Sequence, residues 1–100
     1  IIVDDICDSG GTLIKAVEEL KDFGASKVYV CVTHPVFSNN AVERIASSAI
    51  TEMIVTDTIP IEGDIPDNIT QITVAPLISD AISLINDGVP VSDLFLNSRL

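Results

Sequence analysis

The stretch that decides the fold opens the chain: Ile1-Ile2-Val3-Asp4-Asp5-Ile6-Cys7-Asp8-Ser9-Gly10-Gly11-Thr12. Its first residues are β-branched and apolar, which is typical of strands buried on both faces of a parallel sheet. The sequence then turns polar and gains two glycines, which predicts a loop over residues 4–12. Apolar residues next recur at helical spacing, so a helix is predicted to begin near Thr12 and to end at Gly24.

The same alternation of strand and helix continues along the chain. Apolar runs predict strands at residues 27–33, 53–56 and 72–74, and helical stripes predict helices at 41–46 and 77–85. This order predicts an α/β fold with a mostly parallel sheet flanked by helices. A parallel strand needs neighbours, so the opening strand indicates that residues 1–100 form one domain that is a fragment of a longer chain.

The composition argues against two classes of function, nucleic-acid binding and membrane binding. The 100 residues are 47% apolar, and 15 acidic residues against 5 basic ones give a formal charge of −10. A nucleic-acid groove or an anionic membrane surface needs a basic face, which five scattered cations do not provide. Those cations are Lys15, Lys21, Lys27, Arg44 and Arg99. Two cysteines without metal-ligand spacing indicate reduced thiols in a cytoplasmic protein.

Residues 4–12 carry the candidate site, because ligands of open parallel sheets bind beyond the carboxyl ends of strands. Gly10 and Gly11 permit positive φ, which lets successive backbone N–H groups turn toward one anion. Hydroxyl groups and the helix N-terminus add to this phosphate cradle. Carboxylates beside it accept hydrogen bonds from sugar hydroxyls or attract Mg²⁺. The pattern therefore predicts a sugar-phosphate site made of Asp4, Asp5, Asp8, Ser9, Gly10, Gly11 and Thr12.

A plainer interpretation of the same residues is open at this point. Asp8, Ser9 and Thr12 are residue types that cap helices, so they could simply close the start of the helix after a glycine turn. The buried strand before them and the aspartate pair at its end favour the binding site.

The opening motif, Val3 to Leu13, closely resembles the phosphoribosyl-pyrophosphate binding motif of type I phosphoribosyltransferase-like proteins. The segments 32–38, 41–45, 55–60 and 91–95 resemble the C-terminal half of the ribose-phosphate pyrophosphokinase family, and the resemblance spans residues 1–96. It implies the phosphoribosyltransferase-like fold and an enzyme that transfers diphosphate from ATP to ribose 5-phosphate with Mg²⁺, leaving AMP.

The resemblance also implies roles for single residues. Residues 8–12 would bind the 5-phosphate of ribose 5-phosphate, while Asp4 and Asp5 would contact the ribose hydroxyls. The ATP contacts and the main Mg²⁺ ligands would lie outside these residues, so the chain alone is expected to be inactive. A homo-oligomer is expected as well, with no nucleic-acid or membrane partner.

Two other functions compete with this one. A phosphoribosyltransferase would need a base-binding hood, and nothing in residues 57–100 resembles one. A non-catalytic regulatory or associated subunit would be expected to lose the loop, whereas its residues are all present.

Side chains that are not assigned to the candidate site are expected to be structural. His34 is expected to be a hydrogen-bonded residue at a strand end, and Cys7 a packing residue whose thiol pKa is raised by nearby acids. Glu62, Asp64 and Asp67 predict a solvated acidic loop. Leu94 and Phe95 predict a hydrophobic clamp over the domain.

Overall fold

The computed structural model describes residues 1–97, so Arg99 lies outside the described residues. The elements follow one another as strands and helices: β1 (Ile2–Cys7), α1 (Gly11–Asp22), β2 (Tyr29–Pro35), α2 (Ala41–Ala46), β3 (Glu52–Thr56), β4 (Ile69–Ile72), α3 (Ala75–Asn86) and α4 (Asp93–Asn97). The expected α/β class is confirmed. None of the helices within residues 1–97 is long and apolar enough to cross a membrane.

The four strands form one parallel sheet in the order β1-β2-β3-β4. In β2, Val30 and Val32 are buried, whereas the residues between and beside them are partly or fully exposed. This alternation places one face of the sheet against α1 and α2, whose Val17 and Ile45 are fully buried. The core therefore lies between the sheet and these two helices.

The first strand is longer than the sequence predicts. Residues 4–7 were expected in a loop, yet they continue β1, with Asp4 opposite Val32 and Cys7 opposite Pro35. Backbone pairing with β2 tolerates polar side chains, so composition alone misplaces the boundary. The same effect shifts β4 to Ile69–Ile72 instead of residues 72–74.

The end of α1 follows the prediction. Gly24 adopts φ 104°, and its N–H donates to the Lys21 carbonyl at 3.0 Å. The N–H of Ala25 reaches back to the Leu20 carbonyl at 3.0 Å. Such a left-handed residue after a helix satisfies the last carbonyls, and glycine adopts it without a Cβ penalty.

The apolar face of α3 is left uncovered within the described residues. None of its residues is buried, and Ile82 and Ile85 are 61% and 66% exposed. The expected clamp is only partly present, because Leu94 is half-buried whereas Phe95 is 67% exposed. The tail forms a short helix, α4, and a shallow cleft between α3 and α4 is lined by Leu84 and Leu94.

A single carboxylate links the loop after β3 to the start of α3. Asp57 accepts the backbone N–H of Val74 at 2.9 Å. Hydrogen bonds from the Thr73 side chain and from Val74 lower the pKa of Asp57 from its ordinary value. The carboxylate thus occupies the N-terminal end of a helix, where negative charge is favourable.

Replacing Thr73 by valine should raise the pKa of Asp57 toward its ordinary value, because the largest cause of the lowered pKa is lost. The hydrogen bonds to the Asp57 carboxylate stabilise the fold at pH values above the ordinary pKa of Asp57. This contribution to stability disappears as the pH falls through the lowered pKa of the folded chain. An NMR pH titration of the Asp57 carboxyl carbon measures this. Thr70→Val is the matched control, because Thr70 donates to Glu52 instead. Equal pKa values of Asp57 in Thr73→Val and in the unmodified chain would contradict the assignment.

Candidate functional site

A cleft of about 330 Å³ lies between β1 and the start of α1. Most of the predicted site residues line it: Asp4, Asp8, Ser9, Gly10, Gly11 and Thr12. Its floor and sides are apolar, with Ile6, Leu13 and Val32 among the lining residues. The fold therefore brings the polar motif to one end of a partly apolar cleft.

The N-terminus of α1 opens into this cleft without a side-chain cap. The helix begins at Gly11, and no side chain caps it in the described structure. Its first intrahelical bond runs from the Ile14 N–H to the Gly10 carbonyl at 2.9 Å. The preceding N–H groups, through Leu13, have no acceptor within the helix. Residues 8, 9 and 12 therefore do not cap the helix with their side chains in the described structure.

The two glycines serve different purposes. Gly10 adopts φ 81°, a left-handed conformation that costs other residues energy, and it is buried. Gly11 does not have a positive φ, so the expectation of positive φ holds for Gly10 alone. A Cβ on Gly11 would instead lie 3.1 Å from Nη2 of Arg44, which is tight for any side chain.

The paired aspartates are separated by the strand that carries them. Asp4 lies in the cleft, and one of its carboxylate oxygens accepts the backbone N–H of Asp5 at 2.8 Å. Asp5 does not line the cleft, because successive side chains of a strand point to opposite faces. A role for the Asp5 side chain in binding stays a prediction.

The loop between β1 and α1 is tied to the segment that follows β2. The carboxylate of Asp8 accepts a hydrogen bond from the Ser38 hydroxyl, and its backbone carbonyl accepts the Ser38 N–H at 3.1 Å. The Cys7 carbonyl accepts the N–H groups of Val36 and Phe37 at 3.0 and 3.2 Å. Asp8 is thus engaged in shaping the loop, and its carboxylate is partly satisfied before any ligand binds.

Cys7 ends β1 and is 4% exposed. Burial raises the pKa of its thiol, and the negative charges of Asp8 and Asp4 raise that pKa further. The expected direction is correct, although burial rather than the acids is the larger cause. A neutral, buried thiol is a poor nucleophile, so Cys7 packs rather than reacts.

His34 behaves as a strand-end residue. Its Nδ1 lies 2.8 Å from the hydroxyl of Thr58, and the Thr58 hydroxyl also donates to the Thr33 carbonyl at 3.2 Å. His34 is thereby held to the loop after β3, as its predicted hydrogen-bonded role requires.

A second cleft, of about 550 Å³, lies between α2 and the loop of residues 62–66. Carboxylates of Glu43, Glu62 and Asp64 line it. Acidic lining disfavours phosphate, so this larger cleft does not compete for an anionic ligand. The predicted solvated loop is confirmed by the exposure of Glu62, Asp64 and Asp67, and within residues 1–97 no three acidic, histidine or cysteine side chains are grouped to hold a metal ion.

Two residues at the site were not predicted from the sequence. The sequence predicted no role at the site for Ser38, and Arg44 was counted only among the scattered cations. Yet Nη1 of Arg44 donates to the Ser9 carbonyl at 3.2 Å across 35 positions of sequence. No local pattern signals a contact at this separation, because it depends on how α2 packs beside α1.

Known proteins resemble this chain along most of its length. The family described as "Phosphoribosyl synthetase-associated domain" matches residues 1–96. The chain is 48% identical to the ribose-phosphate pyrophosphokinase of Caldanaerobacter subterraneus over 96 residues, which are 95% of this chain and 30% of that protein. It is 45% identical to the ribose-phosphate pyrophosphokinase of Campylobacter jejuni over 96 residues, which are 96% of this chain and 31% of that protein.

A solved structure shows the same fold. The crystal structure of phosphoribosylpyrophosphate synthetase from Mycobacterium smegmatis superposes with a TM-score of 0.82 and 36% sequence identity, covering 86% of this chain and 29% of that one. The parallel sheet flanked by helices is thus shared with part of a phosphoribosylpyrophosphate synthetase. The chain belongs to the phosphoribosyl synthetase-associated domain family.

The expectation of a C-terminal half stays a prediction. The family match covers residues 1–96 of this chain, and the chain spans only about three tenths of the curated relatives it matches. These matches confirm the membership in the synthetase family.

Gly10→Ala should lower the free energy of unfolding by roughly 1–2 kcal/mol, the cost of a left-handed residue with a Cβ. Gly63→Ala is the matched control, since Gly63 has φ 78° and no atom within 4 Å of an added Cβ. Both variants should lose stability in urea, but only Gly10→Ala should shift the NMR signals of the Gly11 and Thr12 amides. An unchanged urea midpoint for Gly10→Ala would contradict the left-handed backbone at this position.

The raised pKa of Cys7 predicts slow alkylation. In a Cys31→Ser variant, the rate of reaction with iodoacetamide should rise with pH through a midpoint above that of the same chain in urea. Asp8→Asn should lower that midpoint by removing one negative charge, whereas Asp22→Asn, at the far end of α1, should not. A midpoint in the folded chain at or below the urea value would show that the thiol is neither buried nor beside these acids.

Proposed function

We propose that this chain is the ribose 5-phosphate-binding part of a ribose-phosphate diphosphokinase, which transfers diphosphate from ATP to ribose 5-phosphate and leaves AMP. The observation that carries the proposal is the uncapped N-terminus of α1, which opens into the cleft that Asp4 also lines. The names of the relatives support the reaction class.

The two ends of the cleft suit the two ends of a sugar phosphate. The N–H groups of residues 10–13 and the positive end of the α1 dipole favour a phosphate dianion. Hydroxyls of Ser9 and Thr12 add donors at the same end. The carboxylate of Asp4 repels a phosphate but accepts hydrogen bonds from neutral hydroxyls. Ribose 5-phosphate carries both kinds of group.

We also propose a Mg²⁺ cofactor, because transfer of a charged diphosphoryl group needs cations to offset the developing charge. Magnesium is commonly held by one or two carboxylates together with substrate phosphates, and Asp4 fits that description. Since residues 1–97 hold no larger metal-binding group, we place the main ligands and the ATP contacts in other parts of the enzyme. The 100 residues alone are therefore expected to bind sugar phosphate without turnover.

The wider setting is proposed on the same basis. We propose a cytoplasmic protein without nucleic-acid or membrane partners, because the formal charge is −10 and both cysteines are free. A homo-oligomer is proposed from the family resemblance alone. A non-catalytic subunit associated with the synthetase is the alternative, and the description of the matching family favours considering it. An intact sugar-phosphate site separates the two, because an assembly subunit does not need one.

Titration of the chain with ribose 5-phosphate, inorganic phosphate and ribose, followed by NMR of the Gly10 and Gly11 amides, tests the proposal. Ribose 5-phosphate should bind more tightly than either part, since it engages both ends of the cleft. Phosphate should shift the same amides, and ribose should not. No shift of these amides with ribose 5-phosphate would refute the site.

The variant Asp4→Asn tests the two ends of the cleft separately. It should weaken ribose 5-phosphate binding by about tenfold or more, the loss of a charged acceptor at roughly 1.5–3 kcal/mol, while phosphate binding stays the same or improves. Asp22→Asn removes the same charge from the far end of α1 and should change neither affinity. Parallel losses for both ligands in Asp4→Asn would contradict a hydroxyl-binding role.

Activity is a separate measurement on the same samples. With ATP and Mg²⁺ the chain should release no AMP above background, because electrostatic stabilisation of the transferred group is usually the largest catalytic contribution and lies elsewhere in this proposal. Turnover by the purified 100 residues would show that the catalytic groups have been misplaced.

A further inference from the structure

We propose that Arg44 is the positioning residue of the phosphate loop, defined as Asp8–Gly11: its guanidinium holds the loop and supplies the positive charge that the loop itself lacks. This inference rests on the proposed function, because it concerns the same anion site. Nothing in the motif points to Arg44, which is on α2.

The guanidinium rests against the loop at two points. Nη1 donates to the Ser9 carbonyl at 3.2 Å. Nη2 lies where a side chain on Gly11 would need space, 3.1 Å from an ideal Cβ. One nitrogen of this rigid, planar group therefore bonds to Ser9 while a second lies beside Gly11, an arrangement that an ammonium group cannot reproduce.

The position of α2 explains how Arg44 reaches the loop. Ile45 is fully buried, and its side chain would lie 3.8 Å from a Cβ on Gly10, so α2 packs directly beside the loop. The Ser38 hydroxyl and N–H both bond to Asp8 and hold the approach to α2 on the same loop. Arg44 is the neighbour of Ile45 and lies on the exposed side.

The contact between Arg44 and the loop matters because the chain is strongly acidic. The chain carries a formal charge of −10, and Asp4 and Asp8 line the cleft. Such a surface repels a phosphate dianion before it reaches the backbone N–H groups. The Ser9 carbonyl adds a further partial negative charge within the loop. The guanidinium covers that carbonyl and places a fixed positive charge beside Gly11, which favours the anion.

The binding of inorganic phosphate and of ribose 5-phosphate by variants of Arg44 distinguishes a positioning role from a purely structural one. Arg44→Met keeps an unbranched side chain but removes the charge and every donor. It should weaken inorganic phosphate and ribose 5-phosphate by the same factor, about tenfold. Asp4→Asn, by contrast, should weaken the binding of ribose 5-phosphate alone. The weakening of phosphate binding by added salt should also be smaller in Arg44→Met, because one cation fewer contributes.

Arg44→Lys and Glu43→Gln complete the experiment. Lysine restores the positive charge but not the planar set of guanidinium donors. The affinity of Arg44→Lys for phosphate should therefore lie between those of the unmodified chain and Arg44→Met, with the salt dependence restored. Glu43→Gln changes the neighbouring charge, which lines the other cleft, and should leave phosphate binding unweakened.

The outcomes distinguish the two proposals. If the unmodified chain does not bind ribose 5-phosphate, the proposed function fails. If it binds, and a folded Arg44→Met or Arg44→Lys binds phosphate with unchanged affinity and unchanged salt dependence, the role of Arg44 is overturned. If Arg44→Met does not fold, Arg44→Lys alone decides between these results. Lysine lacks the planar set of guanidinium donors, so phosphate binding should still be weakened.

Discussion

The carboxyl end of β1 is held by the backbone that follows β2, and the site depends on this junction. The Cys7 carbonyl accepts the N–H groups of Val36 and Phe37, and the Asp8 carbonyl accepts that of Ser38. These bonds satisfy polar backbone groups just where the sheet pairing ends. They set the point at which the chain leaves the sheet, and so they set the direction of α1.

The same junction carries backbone strain. Phe37, Asn39 and Asn40 adopt positive φ values of 51°, 52° and 60°. Asparagine tolerates this conformation, whereas it is unusual for a bulky residue such as phenylalanine. The hydrogen bonds to the Cys7 carbonyl and the burial of Ala41 and Ile45 hold the segment in place. The turn brings α2 close enough for Arg44 to contact the loop.

The site is thus assembled from two layers that come from distant parts of the chain. The first is the motif itself, with Gly10 turning the backbone and the uncapped N–H groups of α1 facing the cleft. The second consists of Ser38 and Arg44, which fix the loop from the side. The second layer matters in an acidic protein, because backbone dipoles alone must otherwise attract an anion against a net negative charge.

The sequence by itself determined the α/β order, the helix after the glycine pair and most of the cleft residues. Hydrophobic period and glycine placement are local signals, so Gly24 at the end of α1 and Asp4 at the cleft were predictable. Where β1 ends was not, since pairing with β2 carries residues 4–7 into the sheet despite the polar side chains of Asp4 and Asp5. The separation of Asp4 from Asp5 follows from the same pairing.

Only the tertiary structure decided the roles of Ser38 and Arg44. Each reaches the loop across 30 or more positions of sequence, through the packing of α2 against the sheet. A cation placed by such packing has no periodicity or motif of its own, because its meaning depends on which element lies beside it. The motif therefore predicts the ligand chemistry, while the fold determines which charged side chain lies beside the loop.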